Sequence, residues 1–263
     1  VSQVTPSQLL AVADAAVDLV VHKVVRSDQQ PQLTVDTKSS RTDMVTDIDR
    51  WVEDHLVQAL LASRPDDGIL GEEGTSRPSA SGVCWVIDPI DGTTNFIYDI
   101  PGYSISVAAN IDGCAVAGLV HDPVRHERFR ATLGGGATRN HEPISVSGAS
   151  DLSTALVATG FSYDSDRRRR QAASLVEILP KVRDIRRMGG AALDLCSLAC
   201  GRVDAYFERG LAPWDTAAGA LIASEAGAIL DPRDTSEGAF IGSSPGIFDD
   251  FCRLLDSSGS HAV

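Results

Sequence analysis

Hydrophobic and polar positions divide the chain into a helical start, a β-rich middle and a remainder in which the two alternate. Thr5-Pro6-Ser7-Gln8 sets an N-cap hydroxyl, a proline at the first helical position and a glutamine three residues after the cap. Apolar residues then recur over 9–25. The pattern predicts a long amphipathic helix. Residues 34–41 are polar and read as a loop, after which Thr46 opens a second helix carrying Trp51, Val52, Leu56, Leu60 and Leu61 ahead of Pro65. Asp66-Asp67-Gly68 is a turn. It leads into Ile69-Leu70-Gly71-Glu72-Glu73-Gly74, two glutamates set before a Ser/Pro/Gly loop.

From 83 onward the period becomes that of strands: 83–87, then 103–110 and 115–121 around the hairpin signature Ile111-Asp112-Gly113-Cys114, then 127–133. An antiparallel sheet is the expected product. Gly134-Gly135-Gly136 and Pro143 mark a composition break, which divides the chain into an N-terminal α+β lobe over 1–140 and a C-terminal α/β lobe over 141–263. Beyond the break a strand is expected at 155–159, helices at 168–179 and 190–199, a strand at 203–207 and a helix at 215–226. Gly227 follows as a C-cap before a strand at 228–230. No repeat or low-complexity tract interrupts this order, and pattern alone yields an α+β protein.

Composition narrows the function. A 43% hydrophobic content over 263 residues supports a sizeable core. Five cysteines, an odd number at no metal-like spacing, fit a reducing compartment, with Cys84, Cys196 and Cys200 inside apolar patterns. No window reaches the roughly 18 to 20 apolar residues of a membrane span, and the start lacks the basic region of a secretory signal, so a cytoplasmic protein is expected. A net charge of -13 argues against general nucleic-acid affinity. The run Arg167-Arg168-Arg169-Arg170 is the exception, read as a solvated basic turn or a rim contact. The six histidines are scattered, and neither a Gly-x-Ser-x-Gly elbow nor a phosphate-binding Gly-x-x-x-x-Gly-Lys loop occurs.

The chemistry concentrates in Asp88-Pro89-Ile90-Asp91-Gly92-Thr93-Thr94-Asn95, directly after the apolar run 83–87. Two carboxylates at a strand end supply the oxygens that Mg²⁺ prefers. Pro89 interrupts the ladder so that the Ile90 carbonyl can turn inward, and Gly92 lets backbone N–H groups approach an anion. In an acidic protein, metal ions are what would admit a phosphate ester.

This octet resembles the signature of the inositol monophosphatase family of Mg²⁺-dependent, lithium-sensitive phosphatases. Gly71-Glu72-Glu73 is similar to the family's upstream glutamate motif, Trp214-Asp215-Thr216-Ala217-Ala218-Gly219 to its second signature, and Asp43-Met44-Val45-Thr46-Asp47-Ile48-Asp49 to its N-terminal segment. By local rules Asp215 could equally be a helix N-cap, and Asp49 a capping-box partner of Thr46. The resemblance implies a layered αβαβα sandwich and a homodimer. It implies two or three Mg²⁺ held by Glu72, Asp88, the Ile90 carbonyl, Asp91 and Asp215, with Thr93 and Asp49 activating the water at Glu72's cation.

Gly92 and Thr93 would hold the phosphate. Met188-Gly189-Gly190-Ala191-Ala192 opens a helix whose amides could face an anion. In the resemblance Gly189, Gly190, Ala191 and Asp215 meet the substrate, Glu208 accepts polyol hydroxyls, and Lys38 matches a lysine on the loop covering the site. The implied reaction is hydrolysis of inositol 1-phosphate. Fructose 1,6-bisphosphate, histidinol phosphate and adenosine bisphosphate are alternative substrates, and a regulatory module acting with the transcription machinery is an alternative of another class.

Overall fold

The computed structural model describes residues 4–25, 34–38, 44–231 and 239–259; Asp43 of the N-terminal motif lies outside them. The first half contains α1 (Pro6–Val24), β1 (Val35–Thr37), β2 (Met44–Thr46), α2 (Asp47–Ser63), β3 (Gly68–Gly71), β4 (Ser76–Arg77), β5 (Val83–Asp91) and α3 (Thr93–Ile97). It continues through β6 (Ser104–Ile111), β7 (Cys114–Asp122), β8 (Glu127–Thr132), β9 (Gly136–Arg139) and β10 (Glu142–Pro143). The second half contains β11 (Leu156–Thr159), α4 (Ser165–Ile178), β12 (Asp184–Arg186), α5 (Ala191–Ala199), β13 (Ala205–Arg209), α6 (Pro213–Glu225), β14 (Ile229–Asp231), β15 (Ala239–Ser243) and α7 (Phe248–Ser257).

The helix starts follow their local chemistry. At α1 the Thr5 hydroxyl accepts from the Gln8 amide while the Gln8 side chain accepts from the Thr5 amide, and Thr46 and Asp49 make the same reciprocal pair at α2. Asp112 and Gly113 both take positive φ, 52° and 79°, which the tight β6–β7 hairpin requires.

Two sheets carry the fold. One has eight strands in the order β10-β9-β8-β7-β6-β5-β3-β4, antiparallel except where β3 runs parallel to β5. The other has five, β12-β11-β13-β15-β14, with parallel pairs at β12-β11-β13 and antiparallel pairs beyond. Because successive side chains face opposite sides of a strand, Trp85 and Ile87 pack beneath α1 and α2 while Val86 joins a second core with α5 and α6. Tyr206 and Phe240 close that second core from the other sheet. Phe207 and Ile241 turn to a third core with Ile178 of α4 and Phe251 of α7. The result is the αβαβα layering.

Several elements depart from the pattern. The supposed loop at 34–41 carries β1, which pairs with β2 across Val35↔Thr46 and satisfies its polar backbone by that ladder. Strand β5 does not stop before Pro89 but runs to Asp91 through an irregularity. The eight-stranded sheet extends to Pro143, past the division expected at 140. Helix α7 was not expected, and strands β12 and β15 lie where periodicity gave no element, since three to five residues of strand leave almost no signal. No helix among the described residues is long and apolar enough to cross a membrane.

His121 is buried in β7 beside Arg128, whose guanidinium pairs with Asp14 and Asp18 of α1. Burial and then the Arg128 charge lower its pKa to about 4, against 6.5 for a free imidazole. The unfolded chain therefore takes up the proton first as pH falls. Its contribution to stability is complete above about pH 6.5 and is lost as pH drops toward 4. Thermal melts at pH 7 and pH 5 should show a larger drop in Tm for the native protein than for His121→Gln; equal drops would assign the acid sensitivity to other groups.

Candidate active site

Parallel register brings the first two carboxylates together. Gly71 pairs with Ile87, so Glu72 and Asp88 leave β3 and β5 side by side, and the Glu72 amide donates to the Ile87 carbonyl at 3.1 Å. Asp88 and Asp91 are three apart and would face opposite sides of an unbroken strand. The register slip against β6, where Asp88 pairs with Ser106 and Asp91 with Ser104, inserts one extra residue. Both carboxylates then line the same cavity, and Pro89 is tolerated because the bulge asks for no ladder amide.

Gly92 follows with φ 87°. A Cβ there would meet the Gly102 carbonyl at 2.8 Å, so both conformation and space demand glycine. Asn95 fixes this corner by donating to the carbonyls of Gly102 at 2.8 Å and Met188 at 2.6 Å.

Asp49, fully buried on the first turn of α2, accepts from the Thr46 amide and hydroxyl and, through Oδ1, from Thr93 Oγ1 at 3.0 Å. Thr93 Oγ1 also lies 3.0 Å from the Ile90 carbonyl. The capping and relay readings of Asp49 thus coexist, one oxygen for each. Burial raises the Asp49 pKa against the hydrogen bonds that lower it.

The second half supplies Asp215 and Glu208. Asp215 is not the N-cap of α6, which is Ala212. Asp215 stands in the first turn, accepts from the Ala212 amide at 2.6 Å and still borders the cavity. Glu208 accepts from the Tyr206 hydroxyl at 2.9 Å, and Gly160 leaves it room, since a Cβ at 160 would overlap its carboxylate. Gly160 had no sequence signal; its need arises only from strand β13 lying beside the end of β11.

The α5 N-terminus holds an anion from within the chain. Its amides at Ala191 and Ala192 donate to the Asp91 carboxylate at 3.1 and 2.9 Å, so the anion held there is the protein's own. Gly189 and Ala191 border the cavity, while Gly190 is buried with Asp91 so close that a Cβ would sit 2.8 Å from Oδ2.

Glu72, Asp88, Ile90, Asp91, Gly92, Thr93, Glu208 and Asp215 line one cavity of about 520 Å³. Burial, then mutual repulsion with Glu72, Asp91 and Asp215, pushes the Asp88 pKa well up. Asp91 is raised to about 7 and Asp215 to about 8, in both cases by burial first. Among the described residues no three such groups form a ready-made cation cage. Lys38 donates to Glu72 at 2.8 Å and Glu73 at 2.6 Å, and Asp91 is engaged by α5. The donor set nevertheless fits hard divalent cations. Its oxygens are carboxylates, and Asp88 Oδ1 is buried without a hydrogen-bond partner.

A family model described as the inositol monophosphatase family matches residues 5–250. The chain belongs to the inositol monophosphatase family. An inositol-1-monophosphatase of Mycobacterium bovis is 46% identical over 235 residues, covering 84% of this chain and 81% of the relative. The Nus factor SuhB of Pasteurella multocida is 42% identical over 196 residues, covering 74% of this chain and 73% of that protein. The crystal structure of extragenic suppressor protein suhB from Bartonella henselae superposes with a TM-score of 0.87 at 32% identity, covering 94% of this chain and 98% of that one. Membership in this phosphatase family implies a small phosphorylated substrate.

Glu53 went unnoticed in the sequence. It is 1% exposed on α2 and accepts from the amides of Glu73 at 2.8 Å and Thr75 at 3.1 Å, holding the turn that presents Glu72 to this family's cavity. Glu53→Ala should cost about 3 kcal/mol by stranding two amides beneath Gly71, measurable as a lower urea midpoint. An unchanged midpoint would show that the turn holds itself.

Proposed function

We propose that the chain is a Mg²⁺-dependent phosphomonoesterase that hydrolyses inositol 1-phosphate to inositol and phosphate. The observation that carries this reading is the convergence of Glu72, Asp88, Asp91 and Asp215 on the cavity that also holds the Thr93–Asp49 pair. These four carboxylates and the Ile90 carbonyl would hold two or three Mg²⁺. When bound, the ions supply positive charge that polarises the phosphoryl group and a water and stabilises the attacking and leaving oxygens.

The protein's own groups do the rest. Asp49 Oδ1 accepts the Thr93 hydroxyl proton in a hydrogen bond, so a lone pair of Oγ1 is free to take a hydrogen bond from water. As the water oxygen attacks phosphorus and the ester P–O bond breaks, the water's proton passes to Thr93 Oγ1 and that of Thr93 to Asp49. The leaving alkoxide is protonated from solvent. Backbone N–H groups of Gly92 and Thr93 hold the phosphate. One Glu208 oxygen is engaged by Tyr206, leaving the other to accept a polyol hydroxyl.

The homodimer, lithium sensitivity and cytoplasmic location belong to the same proposal, the last supported by five free cysteines. A second reading, a regulatory binding module, is favoured by the Nus factor name of the P. multocida relative.

Phosphate release from inositol 1-phosphate should require Mg²⁺, stop with EDTA and fall with lithium. Asp91→Asn should abolish turnover, and Thr93→Ala should lower kcat by about 10² to 10⁴. Full activity of Asp91→Asn, or no turnover by the native protein, would refute the enzyme reading. A partner that still binds Asp91→Asn would support the module.

A further inference from the structure

Every residue of helix α5 is buried, and Asp194 is the one charged side chain on it. Asp194 is 1% exposed, and both of its carboxyl oxygens are buried without a hydrogen-bond partner, which holds for no other carboxylate among the described residues. Local structure asks nothing of it. The α5 amides suited to a capping carboxylate, those of Ala191 and Ala192, already hold Asp91, and Ala191, Leu195 and Leu198 on the same helix face are core residues. A buried polar group without a partner is costly, so a role beyond packing is called for.

The polar groups that face α5 come from β13. Tyr206 and Glu208 are two apart and share the strand face that packs on α5, whereas Phe207 turns to the third core. Tyr206 is fully buried and donates its hydroxyl to Glu208 Oε2 at 2.9 Å, which leaves the lone pairs of Oη to accept. Burial, then the charges of Glu208 and Asp91, push the Asp194 pKa well up, opposed by Arg187 from an exposed position. Burial, then Glu208 and Asp194, does the same to Tyr206. A carboxyl placed in this way keeps its proton, and as a neutral acid it has one O–H to donate.

We propose that Asp194 is a positioning residue for Glu208, acting through a hydrogen-bonded chain: its O–H donates to one buried water, the water donates to Tyr206 Oη, and Tyr206 donates to Glu208 Oε2. The inference rests on the reading of Glu208 as the acceptor of a polyol hydroxyl and deepens it. Gly160 gives the Glu208 carboxylate space but no side chain to hold it, so its orientation depends on the Tyr206 side. Each bond in such a chain polarises the next, and a buried water joining otherwise unsatisfied polar groups is a common structural element.

Initial rates with Mg²⁺ on inositol 1-phosphate and on 4-nitrophenyl phosphate, which has no hydroxyl for Glu208, separate positioning from a structural role. Asp194→Leu, apolar like its neighbours on α5, should raise KM for inositol 1-phosphate about fivefold with kcat within about twofold, as for loss of one neutral hydrogen bond. On 4-nitrophenyl phosphate its kcat/KM should stay within about twofold of native. Asp194→Asn, whose amide donates in place of the O–H, should keep KM for inositol 1-phosphate within about twofold of native. Tyr206→Phe should raise that KM by a factor similar to Asp194→Leu, and the double variant Asp194→Leu/Tyr206→Phe no further, because both break the same chain. Equal losses on the two substrates, an Asn variant as impaired as the Leu variant, or additive losses in the double variant overturn the chain. A high-resolution crystal structure of the Mg²⁺-loaded native protein gives a readout apart from turnover. A water within hydrogen-bond distance of both Asp194 and Tyr206 Oη supports the chain; Asp194 without that water, or paired with Arg187, overturns it. A native protein that hydrolyses neither substrate sinks the phosphatase reading instead, and the crystal structure then decides the chain.

Discussion

Two amides at the start of α5 hold the Asp91 carboxylate, and this bond ties the end of one sheet to the helical layer between the sheets. The partners are a hundred residues apart in sequence. Because Asp91 follows a bulge in β5, fixing it also fixes Asp88, the Ile90 carbonyl and the turn at Gly92. The helix dipole favours the negative charge at that spot, which is what allows a carboxylate to persist at the centre of an acidic cavity. The Asn95 bond to the Met188 carbonyl, just before α5, reinforces the same junction.

Around this bond the protein manages an excess of negative charge rather than avoiding it. Lys38 bridges Glu72 and Glu73, and Arg167, Arg170, Arg187 and Arg209 border the same cavity. Asp91, Asp215 and Glu208 are all shifted upward, chiefly by burial, so the site favours a positive charge beside these carboxylates. Stability and function pull in opposite directions here. The packed α1–α2 and α5–α6 layers, with their uninterrupted apolar faces, offset that cost.

Glu53 and Gly160 show how the scaffold sets functional groups without touching substrate. Glu53 satisfies two amides of the turn that carries Glu72, and Gly71 is a glycine because that carboxylate leaves no space for a Cβ. Gly160 does the same for Glu208 from the neighbouring strand. Both roles depend on elements distant in sequence, so neither residue stands out in the chain read linearly.

The order of helices and strands, the hairpin at Asp112-Gly113 and the composition of the octet were legible in the sequence because each rests on local rules: periodicity, capping and turn geometry. The pairing of Asp49 with Thr93 was accessible only through resemblance, since nothing local joins residues forty-four apart. Strands β1, β12 and β15 were not legible, because so short an element forms only when a neighbour supplies its hydrogen bonds. The sequence by itself determined which chemical groups the protein owns and where along the chain they stand. Tertiary structure alone decided that the amides of Ala191 and Ala192 would hold Asp91, and that Arg167 and Arg170 of the arginine run would border the cavity. Burial and proximity set those outcomes, and both are properties of the packed chain.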